Sequence, residues 1–81
     1  QLVDVRTPEE FADKHIEEAK NININGSDFE QGMNALDKDK PLYVYCLSGG
    51  RSGRGAEWAK KNGFKEVYNL EGGILAWMNS G

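Results

Sequence analysis

Residues 42–52 read Leu42-Tyr43-Val44-Tyr45-Cys46-Leu47-Ser48-Gly49-Gly50-Arg51-Ser52. The first four are β-branched, aromatic or aliphatic and form the clearest strand in the chain. A cysteine closes the strand, a short loop with two glycines follows, and a helix is predicted from about Ser52 to Asn62 with Gly63 as its stop. This order puts a thiol beyond the carboxyl end of a strand and over the N-terminus of the next helix. Reactive groups collect at that edge in sheets of this kind. The unpaired amides and dipole of the first helical turn favour an anion there. Gly49 and Gly50 can take positive φ, which lets successive amides curl into an anion-binding nest. Both effects lower a thiol pKa, and Arg51 and Arg54 bring positive charge close by. Taken alone, one cysteine at a strand end is more often a buried apolar thiol, and Gly49-Gly50 an ordinary loop, but strand, Cys, Gly-rich loop and helix in that order favour the reactive reading.

Outward from this segment, strand-like and helical patterns alternate. Leu2-Val3-Asp4-Val5 reads as a buried strand ending at Thr7-Pro8. Thr7 can cap a helix with Pro8, Glu9 and Glu10 in its first turn, ending near Lys14-His15. Asn21-Ile22-Asn23-Ile24 alternates with period two and predicts a second strand. Asn25-Gly26 is a turn, and Ser27 is the candidate cap of a helix carrying Phe29, Met33 and Leu36. Residues 37–41 form a polar loop. Val67-Tyr68-Asn69-Leu70 is a fourth strand, and Ile74 to Met78 a last short helix after Gly72-Gly73. Strands separated by helices imply right-handed crossovers, hence an α/β fold with a mainly parallel four-stranded sheet between helical layers. Residues 1–81 are expected to form a single domain, since 81 residues suffice for one and not two.

Composition narrows the function classes. The net charge of −3 excludes broad nucleic-acid binding, which needs many phosphate-neutralising Lys and Arg. No apolar run approaches the roughly 20 residues of a membrane helix, so no membrane partner is expected. One Cys allows no internal disulfide, and one Cys with one His leaves no credible metal site. His15, Trp58 and Trp77 are read as packing residues, and Lys60-Lys61 as a solvated helix end. The chain opens at Gln1 without an initiator Met, so a processed or trimmed product is expected, from which an export signal could have been removed.

Several further motifs stand in one order: Leu2-Val3-Asp4-Val5-Arg6, Pro8-Glu9-Glu10-Phe11, His15-Ile16, Ala19 with Asn21-Ile22, Val44-Tyr45-Cys46, Ser48-Gly49, Arg51-Ser52, Leu70-Glu71-Gly72-Gly73-Ile74 and Ala76-Trp77. Together they span nearly the whole chain, which resembles the rhodanese family of sulfurtransferases. The resemblance implies the rhodanese-like three-layer fold, no cofactor, and a Cys46 thiolate that takes the outer sulfur of a donor such as thiosulfate. It implies that Leu47, Ser48, Gly49, Gly50, Arg51 and Ser52 form the loop holding the resulting persulfide, with Asp4 and Arg6 in support. A thiol or cyanide, and on some partners a protein, would then accept the sulfur. A non-enzymatic persulfide carrier or partner-docking module is the alternative. Four residues separate Cys46 from Arg51, whereas related dual-specificity and tyrosine phosphatases place five. The shorter loop suits one extra sulfur atom rather than a tetrahedral phosphate.

Three departures from the family pattern stand out. Leu47 occupies a position where many thiosulfate-using members carry a cationic or polar residue. Lys14 precedes His15 and Glu18 stands where glycine is common, so this loop is expected to be reshaped. The leading strand and helix before Asp4-Val5-Arg6 are missing, as in the small phage-shock-type bacterial rhodaneses. Those are exported, which favours a periplasmic over a cytoplasmic form.

Overall fold

Short strands and helices alternate along the computed structural model, which describes residues 1–80. The order is β1 (Leu2–Asp4), α1 (Pro8–Asp13), β2 (Lys20–Asn21), α2 (Phe29–Asn34), β3 (Leu42–Tyr45), α3 (Gly50–Lys61), β4 (Val67–Asn69) and α4 (Gly73–Ser80). The strands form one sheet in the order β2-β1-β3-β4, and every pairing is parallel. This is the α/β fold with a parallel four-stranded sheet that the sequence predicts.

Side chains alternate across the sheet. Val3, Val5, Leu42 and Val44 point to one face, where Phe29 and Met33 of α2 and Ala56 and Ala59 of α3 close the core with Phe64. Met33, Leu42 and Val44 are fully buried, each contributing about 1.5–3 kcal/mol of apolar transfer. The second face differs along its length. At the amino end Leu2, Tyr43 and Tyr68 lie side by side in register, and the two tyrosine rings stack at 5.0 Å. At the carboxyl end Tyr45 is completely buried, and its hydroxyl accepts the Ile16 N–H at 2.9 Å. The connection after α1 therefore covers the end of the sheet at which Cys46 lies.

Local chemistry accounts for most boundaries. Thr7 accepts the Glu10 N–H while Glu10 reaches back to the Thr7 N–H, a capping box that starts α1 at Pro8. Gly63 takes φ 94° one residue past the C-cap of α3. Four expectations need correction. The second strand lies at Lys20–Asn21 rather than 21–24, because Asn23 turns the chain by accepting from the amides of Asn25 and Gly26. Ile22 and Ile24 still donate to Asp4 and Val5, so contact with β1 persists past the strand. Asp28, not Ser27, stands at the N-cap of α2, with no side-chain cap hydrogen bond. α3 begins at Gly50, two residues early, because Gly49 in the left-handed region turns the chain straight from the loop into the helix. Trp77 is 48% exposed rather than core, whereas Trp58 packs against the core, edge-on to Phe29. Glu18 takes φ 71°, in the left-handed region that glycine favours.

Candidate active site

β1 and β3 are the central strands, and both end at the same edge. Cys46 follows β3 directly, with 1% of its surface exposed. Its Sγ accepts the Gly49 N–H at 3.0 Å, and the Ser52 hydroxyl lies 3.4 Å away. Gly49, at φ 115°, is the N-cap of α3 and turns its amide back toward the sulfur.

The orientation of this loop is fixed from outside. The Cys46 carbonyl accepts the Ile74 N–H at 2.9 Å, and the Leu47 carbonyl accepts the Leu75 N–H at 3.3 Å. The Gly49 carbonyl accepts the Gly53 N–H at 3.0 Å. Each of these carbonyls turns the N–H of the following residue the opposite way, and for Leu47 that is the Ser48 N–H, one of the amides that bonds the Cys46 sulfur. The first turn of α4 thereby helps to shape the sulfur cradle. It approaches this closely because residue 73 is glycine: at φ 61°, a Cβ there would overlap the carbonyls of Cys46 and Leu47.

The electrostatics of Cys46 follow. Burial pushes its pKa up, but the Ser52 hydroxyl and the amides of Ser52, Gly49 and Ser48 outweigh burial, and the net shift is downward. Ser52 is itself fully buried. Its Oγ lies 2.5 Å from Asn69 Oδ1, and Asn69 Nδ2 donates to the Gly49 carbonyl at 3.4 Å.

Arg51 forms a bidentate pair with Glu10, at 2.8 and 3.0 Å. The guanidinium holds the Glu10 carboxyl down at about 2 and ties α1 to α3. The positive charge of Arg51 is thus largely matched. Leu47, Ser48 and Gly50 are exposed, and their side chains make no hydrogen bond to Cys46.

Asp4 and Arg6 sit at the end of β1, almost wholly buried, joined at 2.6 Å. Asp4 Oδ1 also accepts the Arg6 backbone N–H, and Arg6 donates to the Lys14 carbonyl. Among the described residues neither hydrogen-bonds to residues 46–52. The pair pins the end of β1 to the connection that covers Tyr45. Burial first, with Asp4 adding, pushes the Tyr45 phenol up to about 12, so it stays neutral. His15 stacks on Phe11 at 3.8 Å, and its Nδ1 lies 2.8 Å from the Phe11 carbonyl oxygen. Among the described residues no group of three or more His, Cys, Asp and Glu could hold a metal ion, and no helix is long and apolar enough to cross a membrane.

Cys46 and the residues after it lie together as the sequence suggests, whereas Glu10 and Asn69 are neighbours the sequence did not reveal. Glu10 was legible as half of a capping box, though its second partner is 41 residues away. Asn69 carried a weaker signal, an amide at the end of an otherwise apolar strand.

A strand-end thiol cradled by main-chain amides at the edge of a small parallel sheet defines an α/β domain built around one cysteine. The chain belongs to the rhodanese family, and the rhodanese-like domain matches residues 1–80. It is 48% identical over 77 residues to the uncharacterized protein YqhL of Bacillus subtilis (strain 168), covering 95% of this chain and 60% of that protein. It is 36% identical over 77 residues to the thiosulfate sulfurtransferase GlpE of Shewanella oneidensis, covering 95% of this chain and 74% of that one. Among solved structures, the rhodanese-like domain protein of Staphylococcus aureus superposes with a TM-score of 0.85 at 38% identity, covering 95% of this chain and 72% of that one. The chain therefore spans about three-fifths of the Bacillus protein's length and about three-quarters of the other two.

Proposed function

We propose that this chain is a sulfurtransferase that carries sulfur as a persulfide on Cys46. The observation that carries the reading is the Gly49 N–H aimed at Cys46 Sγ at 3.0 Å, inside a loop whose carbonyls are drawn outward. Such a site stabilises a thiolate, and thiolate is the nucleophile. With thiosulfate as donor, the thiolate attacks the outer sulfur, the S–S bond breaks, and sulfite leaves with the bonding pair. The product is a Cys46 persulfide anion, whose outer sulfur lies among the loop amides. Cyanide attacks that sulfur, leaves as thiocyanate and returns the thiolate. A thiol acceptor instead takes the sulfur from the protonated persulfide and becomes a persulfide itself. Ser48, Gly49 and Ser52 supply the amides in this reading, Leu47 and Gly50 complete the loop, and Asp4, Arg6 and the Glu10–Arg51 pair hold its surroundings in place. Relatives named thiosulfate sulfurtransferase support the choice of chemistry.

The test is direct. Incubation with thiosulfate adds one sulfur atom by intact mass, and cyanide removes it. No gain in the wild type, or an equal gain in Cys46→Ser, overturns the proposal.

A further inference from the structure

The Ser52 hydroxyl faces three acceptors with one hydrogen. Asn69 Oδ1 lies at 2.5 Å, the Gly49 carbonyl at 3.2 Å and Cys46 Sγ at 3.4 Å. Two oxygens 2.5 Å apart need a proton between them. Asn69 Oδ1 has none to give, and its amide nitrogen is turned to the Gly49 carbonyl. The proton therefore lies toward Asn69, and the sulfur receives no hydrogen from the Ser52 hydroxyl in this arrangement. It suits a neutral thiol, whose own S–H can donate to Ser52 Oγ. A thiolate changes the balance, because an anion is a stronger acceptor than an amide oxygen.

We infer that Asn69 is a positioning residue that holds the Ser52 hydroxyl proton while Cys46 is neutral and yields it to Sγ when the sulfur is charged. This rests on Cys46 being the nucleophile proposed above. The hydroxyl hydrogen stays bonded to Ser52 throughout and changes only its acceptor, while the thiol proton goes to solvent. Once an outer sulfur is attached, charge moves off Sγ and the hydroxyl turns back to Asn69. Asn69 thus opposes ionisation of the resting thiol and eases the return from the charged state. Arg51 from α3, which interacts electrostatically with Cys46, is already paired with Glu10 from α1, and the Asp4–Arg6 pair closes the end of β1. Among the described residues none of these hydrogen-bonds to Ser52 or Asn69. Glu71, two residues beyond Asn69, is exposed.

The test is the pH dependence of iodoacetamide alkylation in the full chain. Asn69→Leu removes the competing acceptor at similar size, and the alkylation midpoint should fall by about half a pH unit. Asn69→Asp provides a stronger acceptor and should raise it. Both variants are repeated with Ser52→Ala. Without the hydroxyl, the Asn69→Leu shift should vanish and the Asn69→Asp rise should shrink. A midpoint in Asn69→Leu at or above wild type overturns the inference, as do shifts that persist in full without Ser52. If Asn69→Leu does not fold, the Asn69→Asp pair decides: an equal rise with and without Ser52 reflects charge alone and refutes the relay. Alkylation needs no sulfur transfer, so failure here is separate from failure of the thiosulfate experiment.

Discussion

Replacing Gly73 by alanine places a methyl group against the backbone that shapes the sulfur cradle. At φ 61° the new Cβ meets the carbonyl oxygens of both Cys46 and Leu47, neither of which can rotate aside. A left-handed alanine costs about 1 kcal/mol before any contact is considered. Relieving the overlap moves the start of α4 away and breaks the Ile74 and Leu75 hydrogen bonds of 2.9 and 3.3 Å, at about 1 kcal/mol each. The restricted unfolded chain of alanine returns about 0.5 kcal/mol, so the net loss is about 2–3 kcal/mol. For a domain of this size that is a fall in melting temperature of roughly 10–20 °C. With their external partners gone, the Cys46 and Leu47 carbonyls no longer hold the amides inward, so the alkylation midpoint of Cys46 rises. Thermal melts followed by circular dichroism and pH-dependent alkylation read the two effects. Gly50→Ala is the control, since a Cβ there meets nothing within 4 Å, and it should melt at or slightly above wild type. A Gly73→Ala protein melting within about 2 °C of wild type, with an unchanged alkylation midpoint, refutes the clamp.

Two other substitutions probe the surroundings of the site. Glu10 has its carboxyl lowered from 4.5 to about 2, chiefly by Arg51, so its stabilisation is complete above about pH 4.5 and is lost as pH falls toward 2. Glu10→Gln should therefore be less stable than wild type by up to about 1 kcal/mol at neutral pH, and urea titrations should show the gap closing below pH 4.5; a constant gap contradicts the pairing. Glu18→Gly relieves a left-handed, exposed side chain and should raise the melting temperature by roughly 2–4 °C, net of glycine's added unfolded-state freedom. A lower melting temperature would show that Glu18 makes contacts outweighing its backbone strain.

The sequence was legible wherever structure is set by neighbours along the chain. Thr7, Pro8 and Glu10 announce α1 through a capping box closed within four residues. Leu42 to Tyr45 announce β3, and Gly63 the end of α3, for equally local reasons. Pairings across the fold were not legible. Arg51 was read as charge lent to the loop, yet it is held by Glu10 from another helix. Ser52 was read as part of the loop but lies in the first turn of α3, and its contact with Asn69 depends on β4 lying beside β3. Trp77 failed for a related reason: it follows Ile74 at helical spacing, but only Ile74 meets the buried side, while Trp77 lines a groove with Leu2, Tyr43 and Tyr68. Glu18 was equally illegible locally, because nothing in its residue type announces a left-handed backbone.

The amides that surround Cys46 belong to the main chain, while the side chains of Leu47 and Ser48 and the vacant position at Gly50 face solvent. Reactivity and recognition are therefore written in different atoms of the same few residues. On the function proposed above, mutation at the outward positions changes which donor or acceptor is met while the peptide groups go on holding the sulfur's charge. Such a loop can change its clientele without relearning its chemistry.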